Sequence, residues 1–298
     1  MAVKNLEDQH FDEQMYANVN PLAKYYRTPG VHVKLPTNGA FLPPGAIEFT
    51  MNHEVPVYPM RGADEMLLKS PDALMNGFAI ESLLKSCVPA IKTPRLISSP
   101  DLDVLLMAIK AATTGEIITL NTKCPKCEVE SEVPRNLGAL MATMTPVDPE
   151  NAVRLSDEVI AYLRPHNFLN ATKIGMASYE EARKIQALEV SDADQALKSE
   201  QMSNSVARLS VLNSEIIADC IIKVVVPEAT VTDKTAIREF MANISKSWTD
   251  KIGNKLEEIN GKGIEKHFDV TCASCGHEYQ AGIEFDPTTF FEADSSAS

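Results

Sequence analysis

Positive charge is scarce in this chain: 28 Lys and Arg stand against 41 Asp and Glu, a formal net charge of −13. A surface so biased repels phosphate backbones, so nucleic-acid binding would need a local basic patch. None is visible, and the segments around the two cysteine motifs are of mixed sign. Long apolar runs are missing as well. The longest, Val104 to Ile109, falls far below the ~20 residues that a membrane span requires, so no membrane insertion is expected. The first residues, Met1 to His10, are polar and acidic, which predicts no secretory leader. A reducing compartment follows, in which paired cysteines are metal ligands more often than disulfides. Catalytic signatures are absent too: there is no G-x-S-x-G, H-E-x-x-H, Walker loop or G-x-G-x-x-G. The histidines (His10, His32, His53, His166, His267, His277) are scattered, and none has a spaced nucleophile and carboxylate around it. Gly261-Lys262-Gly263 reads as a helix C-cap rather than a phosphate cradle. The expectation is a protein that is not an enzyme.

What is present is chemistry concentrated in two short motifs, Cys124-Pro125-Lys126-Cys127 and Cys272-Ala273-Ser274-Cys275. The two-residue spacing lets a tight turn aim both thiolates of a pair at one ion, and two such halves complete a Cys₄ tetrahedron. Zinc is the expected metal, with iron in the same tetrahedron left open by the ligand set. Four thiolates close the coordination sphere and leave no place for an activated water, so the site contributes folding energy rather than catalysis. The flanks support a ribbon. Ile118 and Leu120 alternate with polar neighbours before the first pair, while Glu128, Glu130 and Glu132 share one face after it. Phe268 and Val270 lead into the second pair, and Tyr279, Ala281, Ile283 and Phe285 lead out at period two. His277 is surplus to a complete Cys₄ set. Cys87 and Cys220 have no partner at metal spacing and fall on apolar stripes, which predicts burial.

The rest of the chain divides around these motifs, and the fold class expected is α+β. Residues 1–30 lack periodicity and read as a flexible arm carrying Tyr25 and Tyr26. Residues 31–170 read as a small, Pro-punctuated β module with two helices and the first knuckle. Ser70-Pro71-Asp72 starts one of these helices, with the stripe Leu74, Met75, Phe78, Leu83 and Leu84; Ser99-Pro100-Asp101 starts the other. The stretch Ala152 to Leu163 reads as one or two short strands. Residues 171–262 read as a helical insertion, packed as a bundle with an inward apolar face. In it a capping box at Ser178 and Glu181 opens one helix, and a stripe from Met202 through Val206, Leu209, Ile216 and Cys220 to Val224 defines the next. Thr232-Asp233 opens a third, and Trp248, Ile252, Leu256 and Ile259 line a fourth. Residues 263–291 hold the second knuckle and closing strands, ending in Phe290 and Phe291, which read as docked on the domain. Residues 292–298 read as a disordered tail.

The block from Ser70 to Cys127 carries a further likeness. Leu84-Lys85-Ser86-Cys87-Val88 ends one helix, Asp101-Leu102-Asp103-Val104-Leu105-Leu106 begins another, and Thr114-Gly115-Glu116-Ile117-Ile118 runs into the knuckle. In the order of these parts the chain resembles the baseplate hub subunits and hub-assembly proteins of contractile-tailed phages of the T-even type. Leu35-Pro36-Thr37-Asn38-Gly39 and the stretch from Val159 to Pro165 fit the same layout. The likeness covers roughly the first 170 residues plus the second knuckle, while the helical insertion looks longer than the family pattern. The resemblance implies a non-enzymatic hub protein that contacts other hub proteins, with the tape-measure protein as a further candidate partner. It places the protein in the host cytoplasm during assembly, with the virion baseplate as a second location. A zinc-ribbon factor of transcription or translation is the competing class, supported by Lys123 and Lys126 and opposed by Glu128, Glu130 and Glu132. A metalloenzyme, the third class, would need an open coordination position.

Overall fold

The computed structural model describes residues 20–190, 194–283 and 290–291. Expectations for residues 1–19, for Phe285 and for the tail at 292–298 fall outside the described residues. Within the remainder of the expected arm, Tyr25 and Tyr26 are exposed, but the chain is already anchored at Arg27. That guanidinium donates to the Ser86 carbonyl at 2.6 Å and also reaches the Pro59 carbonyl, and Gly30 N–H bonds to Val57 O.

The first core gathers around a short hairpin and four helices. Strands β1 (Val31–Val33) and β2 (Val55–Val57) pair antiparallel. Helices α1 (Gly62–Leu68), α2 (Pro71–Met75), α3 (Phe78–Cys87) and α4 (Ser99–Thr114) follow. Ser70 caps α2 as its sequence suggests, accepting from Ala73 N–H, but the single helix expected from Ser70 is divided at Gly77. Gly77 has φ +75, and a Cβ there would lie 2.8 Å from Thr172 Oγ1. The break lets the chain pass close under a later helix, and Phe78 is left half exposed while Leu83 and Leu84 enter the core. Helix α4 is buried all round from Val104 to Ala111. Its N-terminus is fixed by Ser98, one residue before the expected cap, and by Asp101, whose carboxylate accepts from Thr37 N–H at 2.9 Å.

A hairpin leaves this core: β3 (Ile117–Lys123) pairs with β4 (Glu130–Asn136), and α5 (Leu137–Ala142) returns to α4. The second core is a four-stranded antiparallel sheet of β5 (Asn151–Arg154), β6 (Ile160–Leu163), β7 (Ile221–Val226) and β8 (Ala229–Val231). Helices α8 (Lys234–Asn243) and α9 (Lys246–Asn260) pack into that core through Ile237, Met241, Ile252, Leu256 and Ile259. Between β6 and β7 the chain makes a helical hairpin of α6 (Phe168–Val190) and α7 (Gln195–Cys220).

This region corrects three expectations. The helical stripe through Val224 stops at Cys220, and Ile221–Val226 is a strand, because five β-branched residues in six fit a pleated sheet better than a helix. The capping box at Ser178 and Glu181 is not a helix start. Helix α6 begins ten residues earlier, where Asn167 accepts from Asn170 N–H at 2.9 Å, and Glu181 turns inward to Arg208 at 2.8 Å. The bundle with an inward apolar face is not formed either: Met202, Val206 and Val211 are exposed on α7. With 23 and 26 residues, α6 and α7 are roughly 35–40 Å long. Among the described residues only their bases join the cores, through Phe168, Ala218 and Cys220.

Candidate metal centre

The last segment brings the chain back to the first hairpin. Thr145 N–H bonds to Gly263 O at 2.8 Å, Ile264 enters the first core, and Lys266 pairs with Asp103 of α4 at 2.5 Å. Gly263, at φ +100, lies close against Pro100, where a Cβ would sit 3.2 Å from the proline. From that anchor, β9 (His267–Thr271) and β10 (Glu278–Gly282) form a second hairpin. Phe290 completes the return, buried in the first core with Phe291 packed edge-on beside it.

The two turns share one geometry. Cys124 N–H donates to Val129 O and Glu128 N–H to Cys124 O; Cys272 N–H donates to His277 O and Gly276 N–H to Cys272 O. The fourth residue after the first cysteine has positive φ in both, Gly276 at +66 and Glu128 at +59. Glycine adopts that conformation freely, whereas a glutamate is strained by it.

These turns place all four sulfurs within 4.8 Å of one another. Cys124 Sγ lies 3.7 Å from Cys275 Sγ, and Cys127 Sγ lies 3.6 Å from Cys272 Sγ. A disulfide would need about 2.05 Å. A tetrahedron with metal–sulfur bonds near 2.3 Å has sulfur–sulfur edges of about 3.8 Å, so the spacing suits one shared ion. Cys124 and Cys272 are buried, and Cys127 and Cys275 are partly so. The N–H groups of Cys275 and Ser274 hold the Cys272 thiol down to about 6. Cys124 is also lowered: desolvation opposes this, but the N–H groups of Cys127 and Lys126 outweigh it. Cys127 accepts from the Val129 N–H, yet desolvation and the three neighbouring sulfurs push it up to about 12. The cluster therefore favours some thiolates and resists the last, an imbalance that a bound cation would relieve.

Two contacts behind the sulfurs hold the hairpins together. Thr122 Oγ1 and Tyr279 OH are 3.0 Å apart, and the Arg135 guanidinium lies 4.1 Å from the Phe268 ring centre while bonding to Asp269 O. His277 is not among the clustered donors; its ring stacks on Tyr279.

Of the remaining cysteines, Cys87 and Cys220 are fully buried. Cys220 shows a neighbourhood that spacing along the chain did not reveal. Its sulfur lies 3.3 Å from His166 Nδ1, and Asn170 Nδ2 donates to it at 3.8 Å. Burial pushes the thiol up to about 11 and lowers the imidazole pKa, so both groups stay neutral. A cysteine nucleophile needs the opposite, a thiolate beside an imidazolium.

The fold is a mixed α+β arrangement with two packed cores and two distant hairpins gathered at a site able to hold a metal ion. The chain belongs to the T4 bacteriophage base plate protein family, whose model matches residues 47–292 and so spans both cysteine pairs. It is a phage baseplate protein with a structural role. No curated protein and no solved structure matches it. Among the described residues no helix is long and apolar enough to cross a membrane.

Proposed function

We propose that the protein is a non-enzymatic subunit or assembly factor of the baseplate hub, acting through protein–protein contacts, with Cys124, Cys127, Cys272 and Cys275 holding a structural zinc. The observation that carries this reading is the convergence of four sulfurs at tetrahedral spacing from positions 145 and 151 residues apart, inside a baseplate family match. Four thiolates would fill the coordination sphere, so the ion would supply folding energy and cross-linking rather than an activated water. The partners are other hub proteins, with the tape-measure protein a further candidate. Assembly takes place in the host cytoplasm, with the tail baseplate as the destination. Exposed Glu128, Glu130 and Glu132 beside the first knuckle disfavour nucleic acid as the partner.

Co-expression with the other hub proteins of the same phage tests the reading. A complex that survives affinity purification and gel filtration, with one zinc per chain of this protein, is expected. DNA or RNA binding that persists at moderate salt, with no hub complex, would overturn it.

A further inference from the structure

The two hairpins of the ribbon are separate two-stranded sheets, and each turns one strand edge toward the same cleft. The cleft, of about 620 Å³, is lined by six consecutive residues of β3 (118–123), by Pro125 of the first knuckle, by four residues of β10 (279–282) and by Phe290. A strand face contributes only alternate residues, because successive side chains point to opposite sides. An unbroken run means that the edge itself lines the cleft.

Hydrogen-bond parity shows what the edge offers. Leu137 N–H bonds to Glu116 O and Cys124 N–H to Val129 O. With the register of the hairpin, these fix the even-numbered residues of β3 as those bonded to β4. The N–H and C=O groups of Thr119, Asn121 and Lys123 therefore point the other way. In β10 the bonds from Cys272 N–H to His277 O and from Ile283 N–H to Lys266 O leave Gln280 and Gly282 outward in the same manner. No described residue bonds to these backbone groups. The opposite edge of this hairpin is different. On β4 the outward position facing Thr119 is Pro134, which has no N–H to offer, and exposed Glu130 and Glu132 precede it. Proline and charge are how proteins block an edge against strand addition. The β3 edge carries no proline from Ile117 to Lys123; the first is Pro125, at the metal end of the cleft.

We propose that the open edge of β3 receives an extended segment of another baseplate protein, which adds to the hairpin as a third strand. This rests on the assembly reading above and names the surface that carries it. Backbone pairing with Thr119, Asn121 and Lys123 supplies the attachment, as in other cases of strand addition. Alternate apolar side chains of the incoming segment meet Ile118, Leu120, Ala281 and Phe290. Among the described residues Lys123 is the one charged residue lining the cleft, and it is exposed, with a 3.4 Å contact to Glu128. It selects a segment with a carboxylate near the metal end.

The test uses Thr119→Pro and Asn121→Pro in the full-length chain. Each removes an outward N–H and places a ring on the edge while sparing the bonds to β4. Asn121→Ala, which keeps the N–H, is the control. With metal content unchanged, both proline variants are expected to lose at least tenfold in affinity for the hub complex, and the alanine variant little. Hydrogen exchange on the unmodified protein gives an answer that does not depend on how the variants fold. The amides of Thr119, Asn121 and Lys123 exchange fast in the isolated chain, and they become protected in the complex. Proline variants that bind like the original, or edge amides that are slow in the isolated chain or fast in the complex, would overturn the proposal while leaving the assembly reading intact. If no hub complex forms at all, both fail.

Discussion

Replacing Cys272 by Ser removes one of the four sulfurs, the one 3.6 Å from Cys127, and leaves a three-sulfur site. A serine hydroxyl is a hard, weakly acidic donor that a site built for soft thiolates does not accept in exchange. The consequence for stability follows from how little else the ribbon has. Each hairpin has two strands, a unit that is at best marginally stable alone. The buried apolar residues of the ribbon strands and their exit are few: Ile118, Val270, Ala281 and Ile283. An ion present at a thousand times its dissociation constant stabilises the folded state by about 4 kcal/mol. Losing it would lower the melting temperature of the ribbon by roughly 15–30 °C, given about 4–8 °C per kcal/mol in small domains. The two cores do not depend on the sulfurs, so an early partial transition is expected, followed by the main one. Metal analysis and calorimetry on Cys272→Ser read both effects, with Cys87→Ser and Cys220→Ser as variants that keep the ion. Because the four ligands act as a unit, adding Cys124→Ser to Cys272→Ser should cost little more. A Cys272→Ser protein that retains one equivalent of metal and melts like the original would refute the four-sulfur site.

Three other perturbations have clear signs. Glu181 is held down to about 2 by hydrogen bonds from Arg208, Lys184 and Ser205; its contribution is complete above the ordinary glutamate value of about 4.3 and is lost as pH falls toward 2. Amide exchange in α6 and α7 should therefore quicken over that window, and Glu181→Gln should remove the dependence. Gly77→Ala places a Cβ 2.8 Å from Thr172 Oγ1 at φ +75, and a loss of at least about 1–2 kcal/mol in denaturant unfolding is expected from the left-handed backbone alone. Glu128→Gly relieves the positive φ of the first knuckle. It should stabilise the ribbon by about 0.5–1 kcal/mol, visible as a later first transition in calorimetry.

Much of the candidate site was legible in the sequence because its signals are local. Two-residue spacing dictates a turn that aims two sulfurs together, and alternation at period two dictates the arms on either side. The caps at Ser70 and Asp233 were legible for the same reason, each side chain bonding an amide three residues on. Where local signals competed, sequence reading chose wrongly. The spacing of Ile216, Cys220 and Val224 suits a helix, yet the β-branched run from Ile221 wins once β6 is there to pair with it. Ser178 and Glu181 have the spacing of a capping box, but the stronger start lies at Asn167, and Glu181 finds a partner in Arg208, 27 residues on.

The sequence by itself determined that two cysteine pairs sit on β arms, that helices begin at particular caps, that Cys87 and Cys220 are buried, and that the chain resembles phage baseplate proteins. Tertiary structure decided that β7 and β8 close a sheet begun by β5 and β6, with a helical hairpin standing between them. It decided that His166, Asn170 and Cys220 meet, and that no described residue pairs with the outer edge of β3 while Pro134 interrupts that of β4. The division has one physical cause. Propensity, capping and alternation act over a few residues and are written in the chain, whereas strand partners, burial and open edges depend on which distant segments win the competition to pack together.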